Sequence, residues 1–347
     1  ASKAKGGQPM PVLKADAYGH GAKKVAHTAL NNGAAQCAVA SLNEALWLRE
    51  AGIDAPILIL GYTPAWSARE ALLHDITVTL YDRDVALAFS RAAADLQRVA
   101  RAHVKVDTGM GRLGLLPEQV APFVEEILAL PGLELEGLYT HFSVADDADL
   151  DYTEGQVARF IEVLDRLTAA GVRFRYVHCA NSAGLLRVPA ARFTMVRLGI
   201  AMYGLQPSPQ VALPPGFRPA LTWKTTIAQV KTLPAGSFVS YGNAYQTSAE
   251  ETIAVIPVGY ADGFRRAPTH WHAVLVRGKR APVVGRVCMD QTMINVNHIP
   301  NVRVGDEVVL IGQQGDDEMS AEEVAEWLGT INYEVVSEIL ARVPRVV

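Results

Sequence analysis

The stretch HVKVDTGMGRLGLLPEQVAPFVEEILALPGLELEGLYTH, residues His103–His141, has the pattern of a strand, a helix and a second strand. His103–Asp107 and Leu133–His141 are short apolar runs, and Pro117–Leu130 between them has the apolar spacing of an amphipathic helix. Gly132 follows this helix, where a C-terminal glycine is expected. A strand, a helix and a strand in this order predict two parallel neighbours in one sheet.

The same alternation extends over the first two-thirds of the chain. Helical patterns separate the apolar runs, for example Ala22–Leu30, Leu42–Ala51, Asp84–Arg98 and Thr153–Ala170. Eight strand-and-helix units predict a (β/α)₈ TIM-type barrel. An open doubly wound sheet would need a glycine-rich phosphate turn after the first strand, and Gly19-His20-Gly21 is not one. The eight predicted strands are Pro11–Lys14, Cys37–Ser41, Pro56–Leu60, Thr77–Leu80, His103–Asp107, Leu133–His141, Tyr176–Cys179 and Arg192–Arg197.

The texture changes at the proline-rich segment QPSPQVALPPGFRPA, residues Gln206–Ala220, which neither a helix nor a central strand tolerates. We therefore predict a barrel domain over residues 1–210 and a mainly β domain over residues 211–347. Ser320 and Glu323 form a capping-box pair for its one clear helix, Ser320–Leu328. The predicted strands are Leu221–Lys231, Thr252–Val258, Ala273–Val276, Val283–Val287, Met293–Val296 and Glu307–Ile311.

Composition excludes several classes of function. The chain of 347 residues has 32 Lys and Arg against 36 Asp and Glu, a net charge of −4, which offers no basic surplus for nucleic acid. Apolar runs such as Ala55–Leu60 are too short to cross a membrane, and the polar start has no signal-peptide core. Cys37, Cys179 and Cys288 match no metal or disulfide spacing. We expect a cytoplasmic enzyme without a metal.

Ionisable or polar residues stand at the ends of five predicted strands: Lys14, Lys105 with Asp107, His141, Asn181 with Ser182, and Arg197. In a barrel of this kind the carboxyl ends of the strands form the active site. A lysine desolvated there can lose its proton and attack a carbonyl carbon, although a solvent-facing lysine is the commoner case.

The loops after strands seven and eight are the usual phosphate site of this fold. Asn181 and Ser182 open a helix after strand seven, and Gly199 and Ile200 lie after strand eight, although a capping serine and a turn glycine are also ordinary features. A phosphate site opposite Lys14 indicates a phosphorylated aldehyde cofactor, and pyridoxal phosphate has that chemistry.

Eight motifs in family order resemble the pyridoxal-phosphate-dependent alanine racemase family of fold type III. The resemblance extends over nearly the whole chain. The motifs are VLKADAYGHG (12–21), KVDTGMGRLG (105–114), THFSVAD (140–146), ANSAG (180–184), RLGIAMYG (197–204), VSYG (239–242), VGYADG (258–263) and GRVCMDQ (285–291).

The resemblance implies interconversion of L- and D-alanine by two bases acting on a pyridoxal-phosphate aldimine, supplying D-alanine for bacterial peptidoglycan. Lys14 matches the lysine that forms the Schiff base and acts as one base. Tyr241 matches the base on the opposite face, contributed by the partner in a homodimer with shared active sites. Two bases on opposite faces are what a racemase needs, because one removes the α-proton and the other returns it.

The resemblance also implies roles for residues around these two bases. Arg197 matches the arginine that donates to the pyridine nitrogen, and His141 would lie beside the ring. Arg112 matches the arginine near the phenolic oxygen and the substrate carboxylate. Lys105 matches a lysine that is carbamylated in many members. Asn181, Ser182, Gly199, Ile200, Tyr18 and Tyr333 would bind the cofactor near its phosphate, and Tyr260, Met289 and Asp290 would line or support the substrate entrance.

One departure and several alternatives remain. Only 13 residues precede Lys14, whereas the family has a further strand and helix there; either the sequence is recorded from a truncated start or the β domain is completed differently. A racemase of broader specificity stays open, because pocket width is not legible from the sequence. A pyridoxal-phosphate decarboxylase of the same fold, a sugar-phosphate aldolase and a non-enzymatic cofactor carrier explain fewer of the motifs.

Overall fold

A computed structural model of the protein describes residues 7–346 and divides the chain into two compact units. The first unit runs to Ala17 and then from Gly21 to Phe217. The second unit contains Tyr18–His20 and the chain from Arg218 onward.

Eight parallel strands of the first unit form a closed ring, as a (β/α)₈ barrel requires. β2 to β7 form one parallel sheet in sequence order, and β1 pairs with β8. Two contacts join these sheets into the ring. Val12, just after β1, forms a parallel β-bridge with Ala38 of β2, and the N–H of Arg197 in β8 donates to the carbonyl of Ala180, which follows β7. The strands are β1 (Gln8–Pro11), β2 (Cys37–Val39), β3 (Ile57–Ile59), β4 (Ile76–Leu80), β5 (Ala100–Lys105), β6 (Leu133–Tyr139), β7 (Tyr176–His178) and β8 (Met195–Leu198).

Helices alternate with these strands along the chain, and the longer ones bury a stripe of apolar residues. In α4, for example, Val85, Phe89 and Ala93 are buried, and the Asp82 carboxylate caps the helix by accepting the N–H of Val85 at 3.0 Å. The helices are α1 (Ala22–Asn31), α2 (Leu42–Glu50), α3 (Ala68–Leu73), α4 (Arg83–Leu96), α5 (Pro117–Leu128), α6 (Asp151–Ala169) and α7 (Ser182–Arg187).

The prediction of the first strand at Pro11–Lys14 is wrong by three residues at its start, because β1 is Gln8–Pro11. The N–H groups of Gln8 and Val12 donate to carbonyls of the β8 segment. Pro9 and Pro11 alternate with these donors, so their missing N–H groups fall on the side that faces β2, where pairing begins only at Val12 and Leu13. Lys14 consequently follows the strand rather than ending it.

The second unit is mainly antiparallel β, as predicted. Its principal sheet has the order β10-β13-β16-β15-β14-β17-β18, with β9 paired to β17. The strands are β9 (Trp223–Thr226), β10 (Gln229–Leu233), β11 (Phe238–Val239), β12 (Tyr245–Gln246), β13 (Glu251–Ile256), β14 (Ala273–Val276), β15 (Lys279–Val284), β16 (Thr292–Asn295), β17 (Glu307–Gln314) and β18 (Asp317–Met319). Two helices follow, α8 (Ala321–Leu328) and α9 (Asn332–Ser337).

Sequence reasoning missed several short elements of this unit. The predicted strand Leu221–Lys231 is in fact β9 and β10, separated at Ile227 and Ala228. The β11–β12 hairpin and α9 were not predicted, because two-residue strands and a six-residue helix show no measurable periodicity. The predicted cap of α8 is present, since the Ser320 hydroxyl accepts the N–H of Glu323 at 3.0 Å.

Candidate active site

Lys14 begins a turn of left-handed backbone at the mouth of the barrel. Ala15, Asp16 and Ala17 have φ angles of 52°, 51° and 57°, a conformation that costs each non-glycine residue about 1–2 kcal/mol. The Glu44 carboxylate opposes this cost, because its two oxygens accept the N–H groups of Ala15 and Ala40, each at 2.7 Å. Backbone strain of this kind concentrates at functional sites.

The pKa of Lys14 is lowered, chiefly by loss of hydration and then by the nearby Arg112 guanidinium, with Glu44 opposing. The proton on this amine is therefore held less tightly than on an ordinary lysine. An unprotonated amine is the form that attacks a carbonyl carbon or accepts a proton. The left-handed turn thus presents a lysine suited to both tasks.

Lys105 ends β5 and is 4% exposed. Burial, and then Arg112 and Arg197, lower its pKa to about 8 despite the nearby Asp107. Its amine also lies 5.4 Å from the centre of the Tyr139 ring. A buried lysine of this pKa is partly unprotonated near neutral pH.

Arg112 lies on a loop that Asp107 organises. The two oxygens of the Asp107 carboxylate accept four backbone N–H groups, those of Gly109, Met110, Gly111 and Arg112, at 2.9–3.2 Å. Asp107 therefore shapes the loop rather than pairing with a basic side chain.

Arg197 lies on β8 and is 2% exposed. Its guanidinium donates to the Nδ1 atom of His178 at 2.7 Å and to that of His141 at 2.9 Å. It also donates to the carbonyl oxygens of Thr140 and Cys179, each at 2.8 Å. Because a guanidinium can only donate, both Nδ1 atoms are acceptors. Arg197 is therefore held rigidly.

The pKa of His141 is affected by all the basic residues of the site. Its pKa lies well below the usual value because of burial first, and then because of Arg197, Arg112, Lys105 and Lys14 in that order. These four basic residues are called the cation cluster below. Positive charges gathered in this way, with Glu44 and Asp107 committed to backbone N–H groups, provide a site for an anionic ligand.

Ser182 joins the loops after β7 and β8. Its hydroxyl oxygen accepts the N–H groups of Gly199 at 3.2 Å and Ala201 at 3.3 Å, and a serine that accepts twice still has one O–H to donate. Asn181 caps α7, since its side chain accepts the N–H of Gly184 at 2.9 Å. Ile200 is buried and begins the next helical turn. The structure thus brings Asn181, Ser182, Gly199 and Ile200 together as the sequence predicts.

The second unit holds the remaining predicted site residues in two groups. The rings of Tyr18 and Tyr333 have centres 6.1 Å apart. Tyr260 and Met289 are neighbours, because the N–H of Tyr260 donates to the Cys288 carbonyl at 3.0 Å.

Tyr241 follows β11 and is 66% exposed, and Met289 is 53% exposed. The hydroxyl of Ser240, next to Tyr241, lies 3.6 Å from the sulfur of Cys288, next to Met289, so the segments that carry these two exposed side chains are adjacent. Asp290 accepts a hydrogen bond from Arg342 at 2.7 Å.

Sequence reasoning missed the residues that support this site, namely Glu44, Tyr139, His178, His103 and Glu136. Glu44 lies on α2, whereas the signal of the other four is a polar side chain inside an apolar strand. Tyr139 and His178 are stacked with ring centres 4.7 Å apart. Burial raises the pKa of Tyr139 to about 12. Within residues 7–346, no group of three or more His, Cys, Asp or Glu could hold a metal ion. In that same range, no helix is both long and apolar enough to cross a membrane.

Comparisons with known proteins place this geometry in context. A family model of the alanine racemase N-terminal domain matches residues 1–207, and one of the C-terminal domain matches residues 220–347. An alanine racemase of Desulfovibrio desulfuricans is 48% identical over 336 residues, covering 97% of this chain and 90% of the relative. The likeness extends over both units.

Two solved structures extend the comparison. Alanine racemase from Clostridium difficile 630 has a TM-score of 0.93 at 40% identity, covering 98% of this chain and 88% of that one. A histidine racemase from Leuconostoc mesenteroides subsp. sake has a TM-score of 0.90 at 30% identity, covering 99% and 92%.

Proposed function

The chain belongs to the alanine racemase family, and on that premise we propose that it interconverts L- and D-alanine with pyridoxal phosphate bound at the mouth of the barrel. The family indicated by the eight motifs is confirmed, as is the barrel followed by a mainly β domain. The observation that carries the proposal is the cation cluster around His141, with a lysine of lowered pKa as one of its members.

The residues present fit this cofactor. Pyridoxal phosphate carries a phosphate and a phenolate oxygen, and the cation cluster offers positive charge to match them. Glu44 and Asp107 are bonded to backbone N–H groups, and their charges offset those of the cluster only in part, because each acts on its lysine less than Arg112 does. When bound, the cofactor supplies an aldehyde carbon for amines and a conjugated ring that accepts the electron pair released at the substrate α-carbon.

We assign Lys14 as the covalent anchor and as one of two proton-transfer bases. Its lowered pKa makes the unprotonated amine more accessible than that of an ordinary lysine. The rigid turn held by Glu44 keeps this amine in place while a proton is taken up or returned. We assign Arg197 to the pyridine nitrogen. A guanidinium keeps its proton, so it holds that nitrogen as an unprotonated acceptor and limits how strongly the ring withdraws electrons.

We assign Tyr241 as the base on the opposite face, reaching the site of a partner subunit in a homodimer. The support is the exposed surface that Tyr241 shares with Met289 and Tyr260 in the second unit. Exposed aromatic and apolar side chains gathered on one surface are typical of an interface. In this assembly Tyr260 and Met289 line the partner's substrate entrance, and Asp290 supports them through Arg342.

Ser182, Gly199 and Ile200 are assigned to the cofactor phosphate, with Asn181 as the cap that shapes their loop. Tyr18 and Tyr333, paired in the second unit, are assigned to the same phosphate. These assignments follow the resemblance. Their structural support is the O–H that Ser182 retains after accepting two backbone N–H groups.

Lys105 is proposed to carry a carbamate that holds Arg112 toward the substrate carboxylate. Its unprotonated amine would attack the carbon of CO₂, forming a C–N bond and releasing one proton, and a pKa of about 8 supplies that amine near neutral pH. The product is an anion, which suits a buried position next to two guanidinium groups. The test is ¹³C NMR in ¹³C-bicarbonate, where a carbamate signal is expected from the wild-type protein and none from Lys105→Ala.

The experiment for the overall function is a visible absorbance spectrum with pyridoxal phosphate, followed by chiral analysis of added L-alanine. We expect a yellow protein that forms D-alanine, and a Lys14→Ala variant that does neither. A parallel reaction with L-histidine tests the broader specificity suggested by the structurally similar histidine racemase. Release of CO₂ without D-alanine would contradict racemisation and indicate the decarboxylase instead.

A further inference from the structure

A row of buried hydrogen bonds runs from Arg197 away from the predicted cofactor into the barrel core. Arg197 donates to Nδ1 of His178 at 2.7 Å. Nε2 of His178 lies 2.9 Å from Nδ1 of His103, and Nε2 of His103 lies 3.3 Å from a Glu136 carboxylate oxygen. Both histidines are fully buried and Glu136 is 8% exposed. This set of four residues is called the buried relay below.

The two ends of the buried relay determine where every proton lies. A guanidinium only donates and an ionised carboxylate only accepts. His178 must therefore accept at Nδ1 and donate from Nε2, and His103 must do the same. The opposite tautomer of His178 would direct its Nδ1–H at the N–H of Arg197. An additional proton on either histidine would also bring two donors together.

The local backbone is built to admit this row. Ala102 pairs with Leu135 and His103 pairs with Gly137, so Glu136 is the extra residue of a β-bulge. A bulge re-aims the side chain it carries, and here Glu136 reaches His103. A Cβ on Gly137 would lie 2.3 Å from Nδ1 of His103, so only glycine leaves room for the imidazole.

The charges agree with these proton positions. Burial first, and then Arg197 and His103, hold the pKa of His178 well below its usual value. Burial also lowers the pKa of His103, although the hydrogen bond to Glu136 opposes this. Burial would raise the pKa of Glu136, but the hydrogen bond from His103 and that from Thr77 at 3.3 Å keep it below its usual value. The carboxylate is thus ionised and both imidazoles are neutral.

We propose that Glu136 and His103 are positioning residues of the racemase. They hold His178 as the tautomer that accepts from Arg197, and so they keep the guanidinium oriented toward the pyridine nitrogen. This inference rests on the proposed function only in its last step. The tautomer itself is a property of the chain with or without the cofactor.

The test combines NMR with kinetics. Long-range ¹H–¹⁵N spectra of the histidine-labelled protein, with and without pyridoxal phosphate, report which ring nitrogen carries the proton. In the wild type we expect His178 and His103 to be neutral at pH 7 and protonated at Nε2. A doubly protonated His178, or one protonated at Nδ1, would overturn the proposal whatever the variants do.

Two substitutions then break the relay without removing Arg197 or His178. Glu136→Gln replaces the carboxylate, which can only accept, by an amide, which can also donate to His103. We expect a mixture of His178 tautomers and a fall in kcat of about tenfold, as for loss of one charge-assisted hydrogen bond. His103→Leu removes both bonds and should do the same or more. His103→Asn restores an acceptor and a donor and should recover part of the rate. The control is Glu134→Gln on the same strand, an exposed carboxylate paired with Arg101.

Each outcome decides the proposal. If Glu136→Gln and His103→Leu slow racemisation while the His178 tautomer is unchanged, their role is structural and the proposal fails. If both variants change kcat no more than Glu134→Gln does, it also fails. Failure of the proposed function is distinguishable, because the wild-type protein would then lack racemisation while its histidine spectra could still match the expected tautomers.

Discussion

Asp107 organises the loop that carries Arg112, and replacing it with asparagine tests whether that loop positions the substrate. One Asp107 oxygen accepts the N–H groups of Gly109, Met110 and Gly111, and the other accepts that of Arg112. Burial alone would raise the pKa of Asp107, but these backbone hydrogen bonds outweigh it and hold the pKa below its usual value. The carboxylate is therefore ionised at neutral pH.

The magnitude follows from these bonds. Asparagine retains one oxygen acceptor but turns an amide N–H toward the fourth backbone N–H, which loses one bond of about 1 kcal/mol. The other three bonds become neutral rather than charge-assisted, which weakens each by about 0.3 kcal/mol at this exposed loop. Together this is about 2 kcal/mol, or roughly a 30-fold change in the ratio of closed to open loop.

We expect Asp107→Asn to raise the KM for alanine about tenfold or more, because an open loop no longer holds Arg112 over the substrate. The loop is at the surface, so the unfolding temperature should change by only a few degrees. Steady-state kinetics and calorimetry measure both. The matched control is Asp82→Asn, which alters a capping carboxylate at α4 and should leave KM unchanged. An unchanged KM in Asp107→Asn, or a loss of stability alone, would refute the reasoning.

Three further predictions concern charge, close packing and capping. The pKa of Lys105 is lowered to about 8 from 10.5, so between these pH values this side chain binds more protons in the unfolded chain and its contribution to stability rises with pH; denaturant titrations of the cofactor-free protein should show a steeper rise than those of Lys105→Met, which retains the contribution of Lys14. A Cβ at Gly259 would lie 2.2 Å from the Cys288 carbonyl oxygen, so Gly259→Ala should separate the segments that carry Tyr260 and Met289. We expect activity to fall at least tenfold, and unchanged kinetics would contradict this contact. Ser320→Ala removes the bond to the Glu323 N–H and should reduce stability by about 1 kcal/mol with no change in kcat.

The barrel could be predicted because its strands are continuous apolar runs, its helices have apolar stripes, and glycines follow several of the helices. β4 and β6 are within a residue or two of their predicted bounds. The first strand is predicted three residues too late, at Pro11–Lys14 instead of Gln8–Pro11. Only the pairing of Gln8 and Val12 with the β8 segment shows that the missing N–H groups of the prolines face β2, where pairing begins later in the strand.

The ends of the barrel strands could likewise be predicted as the site. Lys14, Lys105 and Arg197 lie close enough to His141 for their charges to lower its pKa. Their supporting contacts could not be predicted. Glu44 holds the Lys14 turn from 29 residues away along the chain. No local pattern reports a bond between residues so distant in sequence.

Glu136 illustrates a second limit. Alternation with a period of two residues places neighbouring side chains on opposite faces of a strand. The bulge in β6 shifts this alternation by one residue and turns Glu136 toward His103. A one-residue change of register leaves no trace in the hydrophobicity pattern, so sequence reasoning overlooked both residues.

The most direct test of two bases on opposite faces is solvent exchange at the α-carbon of each alanine isomer in D₂O, using Tyr241→Phe. We assign Tyr241 to the α-proton of L-alanine and Lys14 to that of D-alanine. Because Lys14 remains, we expect ¹H NMR to show that D-alanine loses its α-proton signal and keeps its configuration, while L-alanine is unchanged. The wild-type protein should exchange and racemise both isomers. If Tyr241→Phe exchanges L-alanine as fast as D-alanine, Tyr241 is not the second base and the central claim is wrong.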